Sequence, residues 1–478
     1  MIDVVIIGAG VIGATVAREL SKYKLKTVVL EREHDVAMGA TSANSGIVHA
    51  GFDAKPGSLK ARFNVRGSRL MEEYCRELGV KYKRNGSLVV GFDEEDLSTL
   101  EELLQRGEKN GVSGLKILRR DEILAIEPNI GAGVKYALHA PSGAIVCPYE
   151  LCMSALGSAM DNGVRLDLNF EVSEIFREGG TYTVTARDGR SIVTRVVINA
   201  AGVYSDDVAA LVGECDFKVG ARRGEYMLLD KKAGGLIAST VFRCPSKKGK
   251  GILVSPTVDG NLLLGPTADE IDDKGDTRAT AEGLATIRAR ASEQVSGIDM
   301  AKVITSFSGL RAGGSTGDFI INRKGGFINL AGIESPGLTA SVAIAEYARE
   351  LVGEVLTLEK NEAFVSERRS IHYFSGLTPE QKNEIIKERP EYARIVCRCE
   401  RVSEGEILDA IRTDPRPTTL DGVKRRTRAT MGRCQGGFCS PRIVELLAEE
   451  LGVSPLEITK RGGESYLNVG VTKEGLRK

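Results

Sequence analysis

An α/β fold is predicted for this chain: a doubly wound parallel-sheet domain, interrupted by a mixed β-sheet insertion, with a small α-helical domain at the end. Three observations predict it. The apolar run Asp3 to Ile7 meets Gly8-Ala9-Gly10-Val11-Ile12-Gly13, then a helical pattern to about Tyr23, then a second apolar run, Thr27 to Leu30, ending on Glu31. The same order of strand, glycine turn and helix returns late, at Phe327–Leu330, Gly332–Gly337 and Leu338–Gly353. Between the two lies a strand-rich stretch punctuated by glycine turns. Strand, tight turn, helix, strand and acid in this order make the Rossmann-type dinucleotide fingerprint in its required context.

The first element carries the most chemistry. Gly8 permits the turn, Gly10 lets the backbone approach a pyrophosphate, and Gly13 lets the helix pack close to the strand. The helix N-terminus offers N–H groups and a partial positive charge to phosphates. Glu31, eighteen residues past Gly13, can accept hydrogen bonds from a ribose diol and would repel a 2′-phosphate. Next comes Gly39-Ala40-Thr41-Ser42-Ala43-Asn44-Ser45-Gly46, running into Ile47-Val48-His49-Ala50-Gly51. Small and hydroxyl-bearing residues let such a backbone lie against a flat ligand.

The remaining elements follow in order. Residues 58–78 read as an amphipathic helix with Leu59, Phe63, Leu70, Met71 and Tyr74 near helical spacing. Leu88–Phe92 reads as a strand, 97–107 as a charged surface helix, 142–147 as a loop or short strand and 148–162 as a helix. Strands are expected at Arg165–Ile175 and Tyr182–Ala186, with Asp188-Gly189 as a hairpin turn into Ile192–Val197. The buried-type run Val196–Ile198 opens into Asn199-Ala200-Ala201-Gly202. Strands Tyr226–Leu229, Ile252–Ser255 and Leu262–Leu264, a helix over 280–295 and a strand Val303–Phe307 leading to Ser308-Gly309-Leu310-Arg311 complete the middle. Residues 357–394 carry many charges and little periodicity, so they read as a linker with one or two short helices.

Composition sets the class. With 478 residues, 42% apolar and 27% charged, the chain can bury the cores of two or three ordinary domains. A formal net charge of zero gives no global argument for nucleic acid or an anionic membrane surface. No apolar run is long enough to span a bilayer, and Met1 leads straight into the first strand without a signal-peptide pattern. The expected location is cytoplasmic, with room for peripheral attachment to the inner face of the membrane through partners. Cys75, Cys147, Cys152, Cys215 and Cys244 are scattered singly and read as core thiols in a reducing compartment. Cys397, Cys399, Cys434 and Cys439 are grouped, and read as one four-thiolate site.

Three blocks together, GAGVIG with Glu31, GATSANSGIVHAG, and FSGLR with GIESPGLTAS, resemble the FAD-dependent D-amino-acid oxidase superfamily over about residues 1–355. The resemblance is to its branch of glycerol-3-phosphate dehydrogenases (anaerobic A-subunit type) and L-2-hydroxyglutarate dehydrogenases. CRC at 397–399 and GRCQGGFC at 432–439 resemble the bacterioferritin-associated-ferredoxin-like 2Fe–2S domain. These resemblances imply a Rossmann-type FAD-binding domain with an inserted mixed β-sheet substrate domain, plus a small α-helical iron–sulfur domain. The implied division is FAD-binding at 1–80, 142–212 and 305–356, substrate domain at 81–141 and 213–304, linker at 357–392, and 2Fe–2S domain with tail at 393–478.

The resemblance also implies roles. Gly8, Gly10 and Gly13 hold the FAD pyrophosphate and Glu31 its ribose, with Thr41, Ser42 and Ser45 near phosphate and flavin. Ala201 and Gly202 let the second half of the domain approach the cofactor, and Val172 contacts adenine through its backbone. Gly337, Leu338 and Thr339 lie at the flavin pyrimidine, where a helix N-terminus favours negative charge on the reduced ring. Arg311 grips the anionic end of a substrate through its planar fork, and His49 takes the alcohol proton. The plain alternatives are a surface ion pair for Arg311 and a core hydrogen bond for His49. His34, His139 and His372 have no motif context and read as structural.

The four cysteines form a CxC and a Cx4C, thirty-four residues apart. Zinc sites favour CxxC pairs, whereas four thiolates also hold a 2Fe–2S cluster, which is net anionic. From Arg394 to Arg442 there are eleven Lys/Arg against six Asp/Glu, a surplus that includes Lys424, Arg425, Arg426 and Arg428. It would offset a cluster's charge or form a docking face. The expected activity is oxidation of sn-glycerol 3-phosphate to dihydroxyacetone phosphate, with electrons passing through the cluster to a partner protein, a second flavoprotein or iron–sulfur subunit. The alternatives are an L-2-hydroxy acid or amino-acid dehydrogenase, and a flavoprotein subunit that only relays electrons. An oligomer is compatible with either.

Overall fold

The strand Ile2–Ile7 is the middle of the first sheet because nearly every residue in it is apolar. Both of its faces are covered, as expected of a parallel sheet wrapped on two sides. A computed structural model describes residues 1–213, 215–245, 251–368 and 374–472, and the chain divides into two units, Met1–Arg368 and Arg369–Lys478.

In the first unit, Ile2–Ile7 pairs in parallel with Thr27–Leu30 on one side and Ser191–Asn199 on the other. Arg165–Asp167 extends the sheet beyond Thr27–Leu30, and Phe327–Ala331 pairs with the end of Ser191–Asn199. Alternate residues feed two cores. Val4, Ile6, Val29 and Ile198 join one with the helices Val11–Ser21, Leu59–Glu77, Pro148–Asp161 and Gly337–Gly353. Val5, Ile7, Val28 and Val197 join the other, with Phe170, Tyr182 and Val184. Gly13 lets the first helix lie on its own strand, since a Cβ there would collide with the Gly8 carbonyl.

The second sheet has nine strands among the described residues. Its spine is the antiparallel pair Val219–Leu229 and Val303–Gly314. It is mixed, because Thr240–Arg243 runs parallel to Ser87–Gly91 while its other pairs are antiparallel. The helix Ala281–Gln294, capped by the Thr280 side chain, buries Ile287 and Ala291 in the core of this sheet.

Several sequence expectations need correction. The run Arg165–Ile175 is two strands, Arg165–Asp167 and Val172–Glu178, in different parts of the sheet. The break falls where Asn169 takes φ +52°, and where the backbone N–H groups of Asn169 and Phe170 donate to the Glu33 and Glu31 carbonyls at 3.0 and 2.8 Å. Ser308–Arg311 is the inside of one long strand, not a segment after it. Lys116–Arg119 and Tyr136–Ala140 are strands that the periodicity did not reveal. Part of the expected linker is tied to the first unit, where the Lys24 N–H donates to the Glu359 carbonyl and Asn361 N–H to the Lys22 carbonyl, both at 2.8 Å.

The second unit packs Glu404–Arg412, Leu420–Thr427 and Ser440–Leu451 around Ile407, Val423, Ile443 and Leu447. A helix Pro379–Glu388 precedes them, and a short ladder joins Ile395–Cys397 to Val402–Ser403. No helix among the described residues is long and apolar enough to cross a membrane.

Candidate active site and cysteine cluster

Five separated segments meet at the carboxyl ends of the parallel strands, where open α/β sheets hold their ligands. Gly8 takes φ +107° and lies so close to the end of the neighbouring strand that a Cβ would sit 2.5 Å from the Ala200 carbonyl oxygen. Only glycine fits there. A Cβ on Gly10 would meet only Thr41 Oγ1, at 3.3 Å, and one on Gly202 nothing within 4 Å. The turn therefore faces open space bounded by the Thr41 loop. Thr41 Oγ1 accepts from the Val11 N–H at 2.9 Å, which fastens that loop to the first turn of the helix.

Glu31 ends its strand inside this turn. Its carboxylate accepts from the Ala9 N–H at 2.7 Å and from the Glu33 N–H at 3.0 Å. Burial pushes its pKa up, and these two hydrogen bonds only partly oppose that. A carboxylate has about four lone-pair sites, so acceptor capacity remains for a diol. Val172 begins the strand beyond the break at Asn169, paired with Ala186. Ala201 and Gly202 follow the strand Ser191–Asn199 after the single residue Ala200.

The loop after Thr41 joins the two sheets. Ser42 Oγ donates to the Gly39 carbonyl at 3.1 Å, closing the turn locally. A Cβ on Gly309 would collide with the Ala43 carbonyl, so the long strand presses against this loop. Ser45 Oγ lies 3.3 Å from the Tyr226 hydroxyl, and Tyr226 stacks on Phe307 with centroids 4.9 Å apart. The His49 backbone N–H donates to Thr339 Oγ1 at 2.9 Å, and its ring Nε2 lies 3.4 Å from Ser335 Oγ. Thr339 and Ser335 belong to the second glycine turn and its helix, Gly337–Gly353. That helix is approached closely at Gly67, where a Cβ would collide with the Thr339 carbonyl. Leu338 occupies the first turn between Gly337 and Thr339 and packs against the helix core.

Arg311 is opposite Arg222 in the long strand pair, so the two share a sheet face. Gly224, Tyr226, Gly309 and Phe307 lie on the same face by the same register. Arg222 has carboxylate partners, Glu270 at 2.5 Å and Glu334 at 3.9 Å. Glu334 also holds Lys60 at 2.8 Å. Arg311 lies over Gly224 and donates to the Thr267 carbonyl at 3.2 Å. Among the described residues no carboxylate pairs with it, which removes the surface ion pair as its explanation. A guanidinium has five N–H donors, so most remain for an anion.

Tyr226, Ser335 and the Lys60–Glu334–Arg222 chain were not foreseen from sequence. Period-2 alternation puts Arg222, Gly224 and Tyr226 on one face of their strand, but only the register with Val303–Gly314 shows that this face looks onto the Thr41–His49 loop. Of the unmotivated histidines, His139 lies in the strand Tyr136–Ala140, its pKa lowered by burial, and His372 lies outside the described residues.

In the second unit the four thiols form two pairs. Cys399 Sγ lies 3.6 Å from Cys434 Sγ. Cys397 and Cys439 are hydrogen-bonded to each other, and that bond, with backbone N–H groups of Glu400 and Thr430, brings the Cys397 thiol down to about 6 despite its burial. Its partner Cys439 is pushed up, first by the same bond and then by burial. At Cys434 burial raises the pKa, but Cys399 and the N–H groups of Gly436, Phe438 and Gly437 more than offset it. Among the described residues no three metal-ligating side chains gather about a single ion position. Four thiolates in two pairs are a donor set that would hold a two-iron cluster.

The geometry can now be set beside known proteins. The FAD dependent oxidoreductase (DAO) family matches residues 3–351. The chain belongs to that family. The BFD-like [2Fe-2S] binding domain matches residues 395–449. The protein is an FAD-dependent oxidoreductase whose cofactors are FAD and a 2Fe–2S cluster, and both cradles described above fit them. It is 46% identical to a glycerol 3-phosphate dehydrogenase of Caloramator mitchellensis, over 99% of each chain. It is 34% identical to a glycerol 3-phosphate oxidase of Mycoplasma pneumoniae, over 75% of this chain and 96% of that protein. The structure of L-alpha-glycerophosphate oxidase from Mycoplasma pneumoniae with FAD bound superposes with TM-score 0.74, 33% identity, 77% of this chain and 98% of that one.

Proposed function

We propose that this enzyme oxidises sn-glycerol 3-phosphate to dihydroxyacetone phosphate and passes the electrons through its cluster to a partner protein. The observation that carries the reading is Arg311, a guanidinium with no carboxylate partner among the described residues, on the sheet face that presses against the Thr41–His49 loop. The relatives named as glycerol 3-phosphate dehydrogenase and oxidase support phosphate as the anion it holds.

FAD, when bound, supplies the hydride acceptor and the cluster a one-electron carrier. Arg311 grips the phosphate with its fork. His49, oriented by Ser335 and by the bond from its backbone to Thr339, takes the hydroxyl proton at C2 as hydride leaves the same carbon. Gly337, Leu338 and Thr339, at the N-terminus of the helix Gly337–Gly353, would lie at the flavin pyrimidine and favour negative charge there. Gly8, Gly10, Gly13, Thr41, Ser42 and Ser45 hold phosphates and flavin. Glu31 takes the ribose, Val172 the adenine, and Ala201 with Gly202 leaves room for the cofactor. Cys397, Cys399, Cys434 and Cys439 ligate the two irons.

The division into FAD-binding, substrate, linker and cluster segments at the boundaries above is part of the same proposal. It is supported by the eight- and nine-stranded sheets of the first unit, whose strands alternate along the chain, although the strand Val303–Gly314 of the second sheet runs across the boundary at 305. The test is anaerobic bleaching of the flavin by a panel of glycerol phosphates, 2-hydroxy acids and amino acids. Selective bleaching by sn-glycerol 3-phosphate is expected. Selective bleaching by L-2-hydroxyglutarate would replace the phosphate with a carboxylate, and none from any substrate would favour a relay subunit.

A further inference from the structure

The strand pair Val219–Leu229 and Val303–Gly314 carries two glycines face to face, Gly224 opposite Gly309. Each leaves a hollow on the same sheet face, and the two hollows are filled differently. A Cβ on Gly309 would lie 2.0 Å from the Ala43 carbonyl oxygen, so that hollow holds the backbone of the Thr41–His49 loop. A Cβ on Gly224 would lie 2.8 Å from Arg311 Nη2 and 3.2 Å from its Cζ, so this hollow holds the guanidinium itself. Arg311 therefore does not stand upright over its own register partner. It leans along the strands onto the glycine pair, beside the loop that carries Ser42, Ser45 and His49.

Two sets of bonds hold the lean. Arg222 is opposite Arg311, and like charges at that spacing repel. They are drawn apart. Arg222 is taken by Glu270 of the neighbouring strand at 2.5 Å, while Arg311 Nη2 donates to the Thr267 carbonyl at 3.2 Å. That carbonyl is fixed in turn. The Thr267 N–H donates to the Glu225 carbonyl at 3.3 Å, and Thr267 Oγ1 accepts from the Glu225 N–H at 3.1 Å. The buried Glu225 carboxylate accepts from the Thr280 N–H and Oγ1 at 2.7 and 2.9 Å, which ties it to the cap of the helix Ala281–Gln294. Pro266 closes the other side of the hollow, 2.9 Å from the same Cβ position on Gly224.

We propose that Gly224 and Thr267 are positioning residues for substrate recognition, forming a slot that lays the Arg311 fork along the sheet toward the Thr41–His49 loop. This rests on the reading that Arg311 grips the anionic end of the substrate. A long side chain must be ordered when the anion arrives, and a slot does that ordering beforehand. It also fixes the plane of the fork, on which two-point recognition of an anion depends. Neither residue has to touch the substrate. Gly224 has ordinary strand backbone without a positive φ, which alanine adopts as readily. Of the atoms that a Cβ there would meet, the guanidinium sits on a flexible stem and Pro266 does not. The fork is what yields.

The test is a double-mutant cycle on the full-length holoprotein, read by rapid anaerobic mixing with sn-glycerol 3-phosphate at matched FAD content. Gly224→Ala is expected to raise the substrate concentration for half-maximal flavin reduction roughly tenfold or more, since a misplacement of about 1 Å costs up to about a hundredfold. The limiting rate should change far less, the mark of lost binding and not of lost chemistry. In an Arg311→Ala background the same change should add nothing, because the group it displaces is gone. Thr267→Val keeps the side-chain shape and loses the Oγ1 acceptor. It should raise the same concentration severalfold, again only where Arg311 is present, and it decides the matter if Gly224→Ala does not hold FAD. Wild-type affinity in Gly224→Ala beside a weakened Arg311→Ala protein would overturn the slot alone. So would a loss of equal size in both backgrounds, which marks a general disturbance of the sheet. An Arg311→Ala protein with wild-type affinity would show that the reading of Arg311 itself has failed, and the slot falls with it.

Discussion

In the proposed reading, the single residue on which substrate recognition turns is Arg311. Charge-assisted hydrogen bonds contribute roughly 1.5–3 kcal/mol, so Arg311→Ala should lower the efficiency of flavin reduction about ten- to a hundredfold or more. Arg311→Lys keeps the charge and loses the fork, and should fall between Ala and wild type. Measurement is by anaerobic flavin reduction at matched FAD content, and equal rates in all three proteins would remove Arg311 from the site. His49→Asn should slow the same step by about 10²–10⁴ with FAD binding intact, since a positioned base contributes about that much. At this scale the sequence was legible where a residue type has few other uses, as with the glycine turn, Glu31 and the four cysteines. Tyr226 and Ser335 were not legible, because a tyrosine in a strand and a serine in a turn are ordinary until a register or a ring nitrogen is placed beside them.

At the scale of elements, close approach decides more than propensity does. Gly13→Val would push the helix Val11–Ser21 off its strand, since even a Cβ collides with the Gly8 carbonyl. Loss of FAD and a clear drop in melting temperature are expected, measured by flavin content and thermal unfolding. Gly10 faces open space bounded by Thr41, so a bulky residue there should give folded apoprotein, a different outcome from the same kind of change. Retained FAD in a Gly10→Leu protein would contradict the pyrophosphate assignment. Helices were read well because caps and periodicity agree locally, as at Ser58, whose side chain accepts from the Ala61 N–H. The strands Lys116–Arg119 and Tyr136–Ala140 are short, and the first carries charge at both ends. They pair with each other across residues 120–135, and Tyr136–Ala140 also with Ser87–Gly91, so the pairing lies outside any local pattern. The break at Asn169 was hidden for a related reason, since Phe170 is held by the end of a strand more than a hundred residues earlier.

At the scale of the molecule, the family matches fall on two units, the FAD-dependent oxidoreductase on the first and the 2Fe–2S domain on the second. Anaerobically prepared protein should contain two irons and two sulfides per chain with little zinc, as a 2Fe–2S cluster requires. Stoichiometric zinc would contradict the reading of paired thiols. Cys434→Ser should lose the cluster and keep substrate-driven bleaching, because hydride transfer precedes electron exit. The most direct test of the account is rapid anaerobic mixing of the holoprotein with sn-glycerol 3-phosphate, followed by absorbance for the flavin and by electron paramagnetic resonance for the cluster. The account predicts that the flavin bleaches as dihydroxyacetone phosphate forms and that the reduced-cluster signal follows, with the second event alone missing in the Cys434→Ser protein. A flavin that stays oxidised with glycerol 3-phosphate and bleaches with L-2-hydroxyglutarate, or a cluster that stays oxidised while the flavin turns over, would contradict it.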